Sequence, residues 1–412
     1  MKRRDRPGSA VAPAVVLLAS VLLAGQGFVQ EPAATVTNVA VPVRVTAGGR
    51  FVDSLARNDF VVKENGRPQD ILALYLVRQD AVAREDAVRV LTPAVERNWI
   101  LLFQLTDFHP KLAELAQGLL EKTVRPGDRL TVQTPLRNYT LSPRAFDVKT
   151  PATLSEEMTR LLRRDIQLGS AEYNTQLIEL KKIVRSIADV NPMRSIGDVP
   201  EANIQDELGI MIPRYKEALE KMDRARVVDG RFFLQLADRL RAIRGCKDVF
   251  LVYQREFRPE IQPVVLSQLL SRVQGDPDLE AEIQSLFVLR SRDFSFDADG
   301  VIRAFADAGT AFHFIYMNKD PEDVVGLVMR ETSEDYFRVF SELARGSGGT
   351  VDTSQDPAQG FLAASEAAGD YYLLYYEPRD KQPDGRFRVI SVELKDPRPD
   401  HRLTFRAGYY AR

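Results

Sequence analysis

The sequence predicts an α/β protein in which a doubly wound parallel sheet is inserted into a β-sandwich-like domain built jointly by the two ends of the chain. Three observations predict it. The first and last segments alternate apolar and polar residues with the period of two that marks half-buried strands. The middle alternates short apolar runs with amphipathic helical stripes, the pattern of parallel strands covered by helices. Neither terminal segment holds enough strands to bury both faces of a sheet, so the two must pair in space.

Taken in order, residues 1–27 have a basic start, an apolar centre from Val11 to Ala24 and small residues at Gly25 and Gly27, which together read as an export signal. The apolar centre is short for a membrane span, so a cleaved signal is favoured, with an uncut N-terminal anchor as the alternative. The protein is therefore expected to be exported, periplasmic or extracellular, with no other membrane attachment.

Residues 35–80 form the N-terminal part of the sandwich. Val39, Val41, Val43 and Val45 share one side of a strand, and Pro42 places that strand near an edge because it cannot donate to a ladder. Asn65-Gly66 separates two strand-like runs as a hairpin turn. Residues 368–412 supply the C-terminal part, with strands in "DYYLLYYEP", "RFRVISVELKD" and "HRLTFRAGYY" and a turn at Asp384-Gly385.

Residues 96–350 carry the parallel sheet. Strands are read at Trp99 to Leu105, Asp128 to Pro135, Lys247 to Gln254 and in "AFHFIYM". Helical stripes run through Leu112, Leu115 and Leu119, and through Phe232, Phe233, Leu236, Leu240 and Ile243. A last helix spans Ser333 to Arg345. Residues 189–228, rich in charge, Pro and Gly, break this alternation and read as a helical or irregular surface insertion.

The bulk composition limits the partners. With 44% apolar residues the chain can bury two cores, and 56 basic against 58 acidic side chains provide no general field for nucleic acid. Cys246 is the single cysteine, so no internal disulfide forms.

At its two ends the chain resembles the von Willebrand factor type A-related proteins of acidobacterial type. The likeness is carried by "VPVRVTAGGRFVDSLARNDFVVKENGRPQDI" near the start, and by "LARGSGGTVDTS", "DYYLLYYEP", "DGRFRVISVEL" and "RAGYY" near the end. The resemblance implies a Rossmann-like A domain with a metal-ion-dependent adhesion site above the sheet. Members that keep this site use Asp-x-Ser-x-Ser after the first strand, a later threonine and a further strand-terminal aspartate.

Laid on that motif, Gln104 stands at the first aspartate, Thr106 and Phe108 at the serines, Gln254 at the later aspartate and Thr175 at the threonine. Carboxamides keep the size of carboxylates but lack the charge that offsets the dehydration of a small dication. The site is thus expected to be degenerate, with no cofactor; Mg²⁺ or Mn²⁺ held by Thr106, Asp107 and Thr175 is the alternative. Asp107 is read as a helix N-cap ahead of Pro110, and His109 as an exposed residue of the same rim.

No G-x-S-x-G, H-E-x-x-H or phosphate-loop motif is present. His313 reads as a hydrogen-bonded core histidine, Cys246 as a small buried residue at the amino edge of the sheet, and Gly346 to Gly349 as a helix cap and turn. Tyr371, Tyr372, Tyr375 and Tyr376 read as sandwich residues, and Arg160, Arg163 and Arg164 as a solvated face. The expectation is a non-enzymatic adhesion or scaffold module that binds a protein partner through Gln104, Thr106, Asp107, His109, Thr175 and Gln254. An envelope hydrolase of unrecognised mechanism is a further alternative.

Overall fold

Strand β1 (Val39–Ala47) buries Val39, Val41, Val43 and Val45, while Ala40, Pro42 and Arg44 are half-buried on the other side. In the computed structural model, residues 38–142, 144–189, 201–226, 228–288 and 296–412 are described. The segment read as an export signal lies outside the described residues, as do residues 190–200 of the expected insertion.

β1 runs antiparallel to two strands from the far end of the chain: β15 (Asp370–Tyr376) over Val39 to Val43, and β17 (His401–Phe405) over Val43 to Ala47. Pro42 falls in the half of β1 that β17 does not reach, which accommodates its missing N–H. β5 (Ile71–Arg78) and β6 (Ala81–Ala87) extend this first sheet beyond β15, and β2 (Arg50–Phe51) folds back on β1. The N-terminal strands therefore continue to Ala87, past residue 80.

The second sheet has the order β18 (Gly408–Tyr410), β16 (Phe387–Leu394), β3 (Phe60–Glu64), β4 (Arg67–Gln69) and is antiparallel. Asn65 and Gly66 take φ of 47° and 77° in the turn from β3 to β4. The long run that follows was expected to complete this hairpin. Instead β4 stops at Gln69 and the chain crosses to the first sheet as β5, whose residues Ala73 to Val77 are buried on both faces in a way an edge position could not provide. Val41, Val43, Leu74 and Tyr372 from the first sheet and Val62, Ile390 and Val392 from the second share one core. Within it the Glu64 carboxylate accepts the hydroxyls of Tyr376 at 2.7 Å and Tyr409 at 2.9 Å.

The central sheet comprises β7 (Arg97–Gln104), β8 (Arg129–Gln133), β9 (Asn138–Leu141), β10 (Cys246–Gln254), β12 (Thr310–Met317) and β14 (Val351–Asp352). Its order is β14-β12-β10-β7-β8-β9, parallel except at β8–β9. One face packs against α1 (Lys111–Gly118), α3 (Pro151–Gly169) and α11 (Pro357–Gly369), with the single turn α2 (Ala145–Val148) leading into α3. The other face packs against α6 (Gly230–Arg241), α9 (Ala298–Asp307) and α10 (Glu334–Ser347). Cover on both faces explains why β7, β10 and β12 read as continuous apolar runs. α11 has no apolar stripe to announce it, because its buried positions are mostly Ala, Gly and Ser.

The insertion is helical and larger than residues 189–228. α4 (Ala171–Asp189), α5 (Glu201–Ala225), α7 (Pro263–Arg272) and α8 (Pro277–Val288) pack around Leu180, Val184, Ile212, Leu266 and Ile283. The two-stranded antiparallel sheet of β11 (Phe257–Ile261) and β13 (Leu327–Glu331) joins this helical unit to the central sheet. Among the described residues no helix is long and apolar enough to cross a membrane.

Two glycines test this packing. A Cβ at Gly349, between α10 and β14, would stand 1.9 Å from the Phe312 carbonyl oxygen. Gly349→Ala is expected to lower the urea unfolding free energy by about 1–3 kcal/mol, the cost of overpacking. Gly209→Ala, on an exposed face of α5 with no atom within 4 Å of the new methyl group, should raise it by roughly 0.5–1 kcal/mol.

Candidate functional site

Chain order in the central sheet reverses between β7 and β10, so the crevice that open α/β sheets leave for ligands lies above the ends of these two strands. β7 ends at Gln104 and Leu105 enters the core, after which Thr106 and Asp107 pass over the crest. Here three donors converge on the side-chain oxygen of Gln254, the last residue of β10. They are the Thr106 N–H at 3.0 Å, the Thr106 hydroxyl at 2.9 Å and the Asp107 N–H at 3.1 Å. Gln254 is only 3% exposed, so its carbonyl is the acceptor that these buried donors require.

A cation is already in place. Lys319, from the segment after β12, donates to the Thr106 hydroxyl oxygen at 3.2 Å and to the Asp107 carboxylate. The Thr106 hydroxyl thus donates to Gln254 and accepts from Lys319, and the crest pairs one ammonium with one carboxylate. Among the described residues no group of three or more His, Cys, Asp and Glu side chains gathers in a way that could hold a metal ion. Lys319 was not among the sequence candidates. Its signal is the polar break "NKDPED" directly after the apolar strand that ends at Met317.

The rim continues from Asp107 towards α1. Phe108 is half-buried beneath the Arg163 guanidinium, 4.6 Å from the ring centre. His109 is exposed, and its Nδ1 accepts the Lys111 N–H at 3.2 Å. Lys111 in turn pairs at 3.1 Å with Asp356, the N-cap of α11. Two backbone N–H groups and this ammonium hold the Asp356 carboxyl below its ordinary range.

Three expectations change. Asp107 is not a helix cap: α1 begins only at Lys111, Pro110 holds the cap position, and the Asp107 side chain turns to Lys319. Thr175 is not at the crest. It lies within α4, exposed, and donates to the Ala171 carbonyl at 2.8 Å, because α3 and α4 run on almost continuously where a ligand-bearing loop was expected. Gln104 and Gln254 do not converge. Strand alternation puts Gln104 on the face of Ile100 and Leu102, where it lines a cleft of about 180 Å³ with Gln133, Thr134 and Phe232.

Thr134 at that cleft donates at 2.9 Å to Asp165 of α3, a fully buried carboxylate that also accepts from the Tyr139 hydroxyl at 2.6 Å and Arg164 Nε at 2.9 Å. Burial works against the charge on Asp165, but these donors outweigh it and keep its pKa below the usual carboxylate value.

Cys246 and His313 are both remote from the crest. The Cys246 thiol, at the start of β10, donates to the Tyr371 hydroxyl at 2.8 Å, and burial pushes its pKa up to about 12. A thiol so raised stays protonated at neutral pH and is a poor nucleophile. His313 lies in β12, stacked on Phe250, with Thr350 at 2.9 Å and Asp248 at 3.3 Å on its two nitrogens.

No family model, curated protein or solved structure matches this chain.

What the crest offers chemically is a fixed polar surface, in which each inner atom has its partner and Asp107 and His109 face outward. Gln254→Leu should cost about 1–3 kcal/mol in urea unfolding, because three donors lose their acceptor. Gln254→Glu should cost less, since a carboxylate accepts the same bonds. Asp165→Asn is expected to destabilise the protein at pH 7. With a depressed folded pKa, the contribution of Asp165 is present above its unfolded value near 3.8 and disappears as pH falls through the folded value. The gap between the two melting temperatures should therefore close in acid, and a constant gap from pH 7 to pH 2 would contradict the assignment.

Proposed function

We propose that the chain is an exported, non-enzymatic protein-interaction module whose binding rim lies over the ends of β7 and β10. We read the central sheet as a Rossmann-like A domain inserted in a sandwich formed by the terminal segments, similar to von Willebrand factor type A-related proteins. The observation that carries the proposal is the Lys319 ammonium on Thr106 and Asp107, in the place where a bridging dication would sit in a metal-dependent adhesion site. An ammonium needs no dehydrated cage of carboxylates, and one carboxylate beside it suffices.

On this reading the partner is a protein that meets Asp107, His109 and the Lys319 side of the rim directly, without a metal between. Arg163, Lys111 and Asp356 add further charges around Phe108. The raised Cys246 thiol and the engaged His313 argue against hydrolysis by either residue.

Two measurements test the proposal together. Titration of the full chain with Mg²⁺ and with Mn²⁺ should give no saturable heat and no change in melting temperature. Cross-linking in envelope extract should recover the same partner with and without chelator, and Asp107→Ala with Lys319→Ala should lose it. Saturable manganese binding, or a partner that the doubly substituted chain still captures, would refute the proposed rim.

A further inference from the structure

We propose that the cavity at the seam between the first sheet and the amino edge of the central sheet binds a small monocarboxylate with a compact apolar body. The cavity measures about 320 Å³ and lies at the opposite end of the strands from the crest. Three cationic side chains line it: Arg44 of β1, Lys247 of β10 and Arg406 just beyond β17. Strand alternation puts Arg44 there: Val43 and Val45 pack with the sandwich core, so Arg44 belongs to the other face. Arg406 follows the end of β17, its guanidinium 5.9 Å from the Tyr409 ring centre.

Among the described residues none of the three meets a carboxylate at ion-pair distance. Lys247, 8% exposed, donates only to the Ile243 carbonyl at 2.9 Å. Nε and Nη1 of Arg44 and Nε of Arg406 are buried with no hydrogen-bond partner. Arg97, at the start of β7, shows what a satisfied guanidinium looks like here: it grips both oxygens of Asp128, at 3.1 and 2.6 Å. A buried donor left without an acceptor carries a penalty, and a carboxylate fits the fork of a guanidinium.

The surrounding charges set the valence of the ligand. Against Arg44, Lys247 and Arg406 stand two carboxylates, Asp248 in the cavity wall and Asp370, whose charge acts on Arg44; a third, Asp307, acts on Arg406 but is already balanced by Arg412 at 3.1 Å, with Arg241 at 3.6 Å in turn paired to Asp238. Asp248 already faces His313 Nε2 at 3.3 Å. One unit of positive charge is left, and the carbonyl ends of α10 and α11 at Ser347 and Ala368 reduce it further. A single negative charge fits, whereas a dianion exceeds what the site can balance. Burial, together with the like charge of Arg406, pulls the Lys247 pKa down, so a bound anion would also relieve this lysine. Pro42, Ala311, Ala368 and Tyr371 furnish the apolar part of the wall.

The test is calorimetry of the full chain with sodium benzoate, its neutral isostere benzamide, and inorganic phosphate. Benzoate should bind saturably at a single site, about ten-fold or more tighter than either other probe. Arg44→Gln and Arg406→Gln should each weaken benzoate by a similar factor while circular dichroism stays unchanged. No saturable benzoate binding, equal binding of benzamide, or tighter binding of phosphate would overturn the proposal on the unsubstituted protein alone. Unaltered benzoate affinity in the folded Arg44→Gln chain would overturn it as well.

Discussion

The parallel pairing of β7 with β10 leaves backbone donors at the ends of two buried strands, and their need for an acceptor shapes the crest above them. Gln254 meets that need through one oxygen, which receives Thr106 twice and Asp107 once. A carboxamide in this position does structural work that a metal ligand could not do at the same time, because its lone pairs are already in use. With Gln254 committed and Asp107 the single carboxylate of the cluster, an ammonium is the cation that the geometry suits.

The same crest is joined to the helical unit by residues that directly follow β10. Glu256, 3% exposed, accepts the Tyr253 hydroxyl at 2.6 Å and pairs with buried Arg226, which begins the return from α5. Tyr173 and Tyr215 reach from α4 and α5 to the carbonyls of Phe257 and Pro259 on β11. These buried polar contacts fix the orientation of the helices relative to the sheet more specifically than apolar packing would. The helical unit therefore stands beside the crest and not at the opposite edge.

The seam between the two ends of the chain has a different character. The core between the first and second sheets is closed by Glu64 with two tyrosine hydroxyls, whereas the outward face of the same first sheet and the amino edge of the central sheet enclose a cavity lined by Arg44, Lys247 and Arg406. Strand alternation forces this division: residues between the core valines and aromatics must look the other way, and here they look into a cavity.

Local pattern in the sequence determined much of this protein: the valine alternation of β1, the Asn65-Gly66 turn, the apolar runs of β7, β10 and β12, and the helix faces of α1 and α6. Each is set by neighbours in the chain, where strand and helix periods differ. That carboxamides, Gln104 and Gln254, end β7 and β10 was equally legible. Only the tertiary structure decided that the run after Gln69 crosses to another sheet, that Gln104 and Gln254 lie on opposite faces, that Thr175 lies on the exposed side of a helix and not on a loop, and that Lys319 fills the crest. Those outcomes depend on contacts between residues far apart in the chain, such as Lys319 with Asp107 or Gln254 with Thr106, and no local period encodes them.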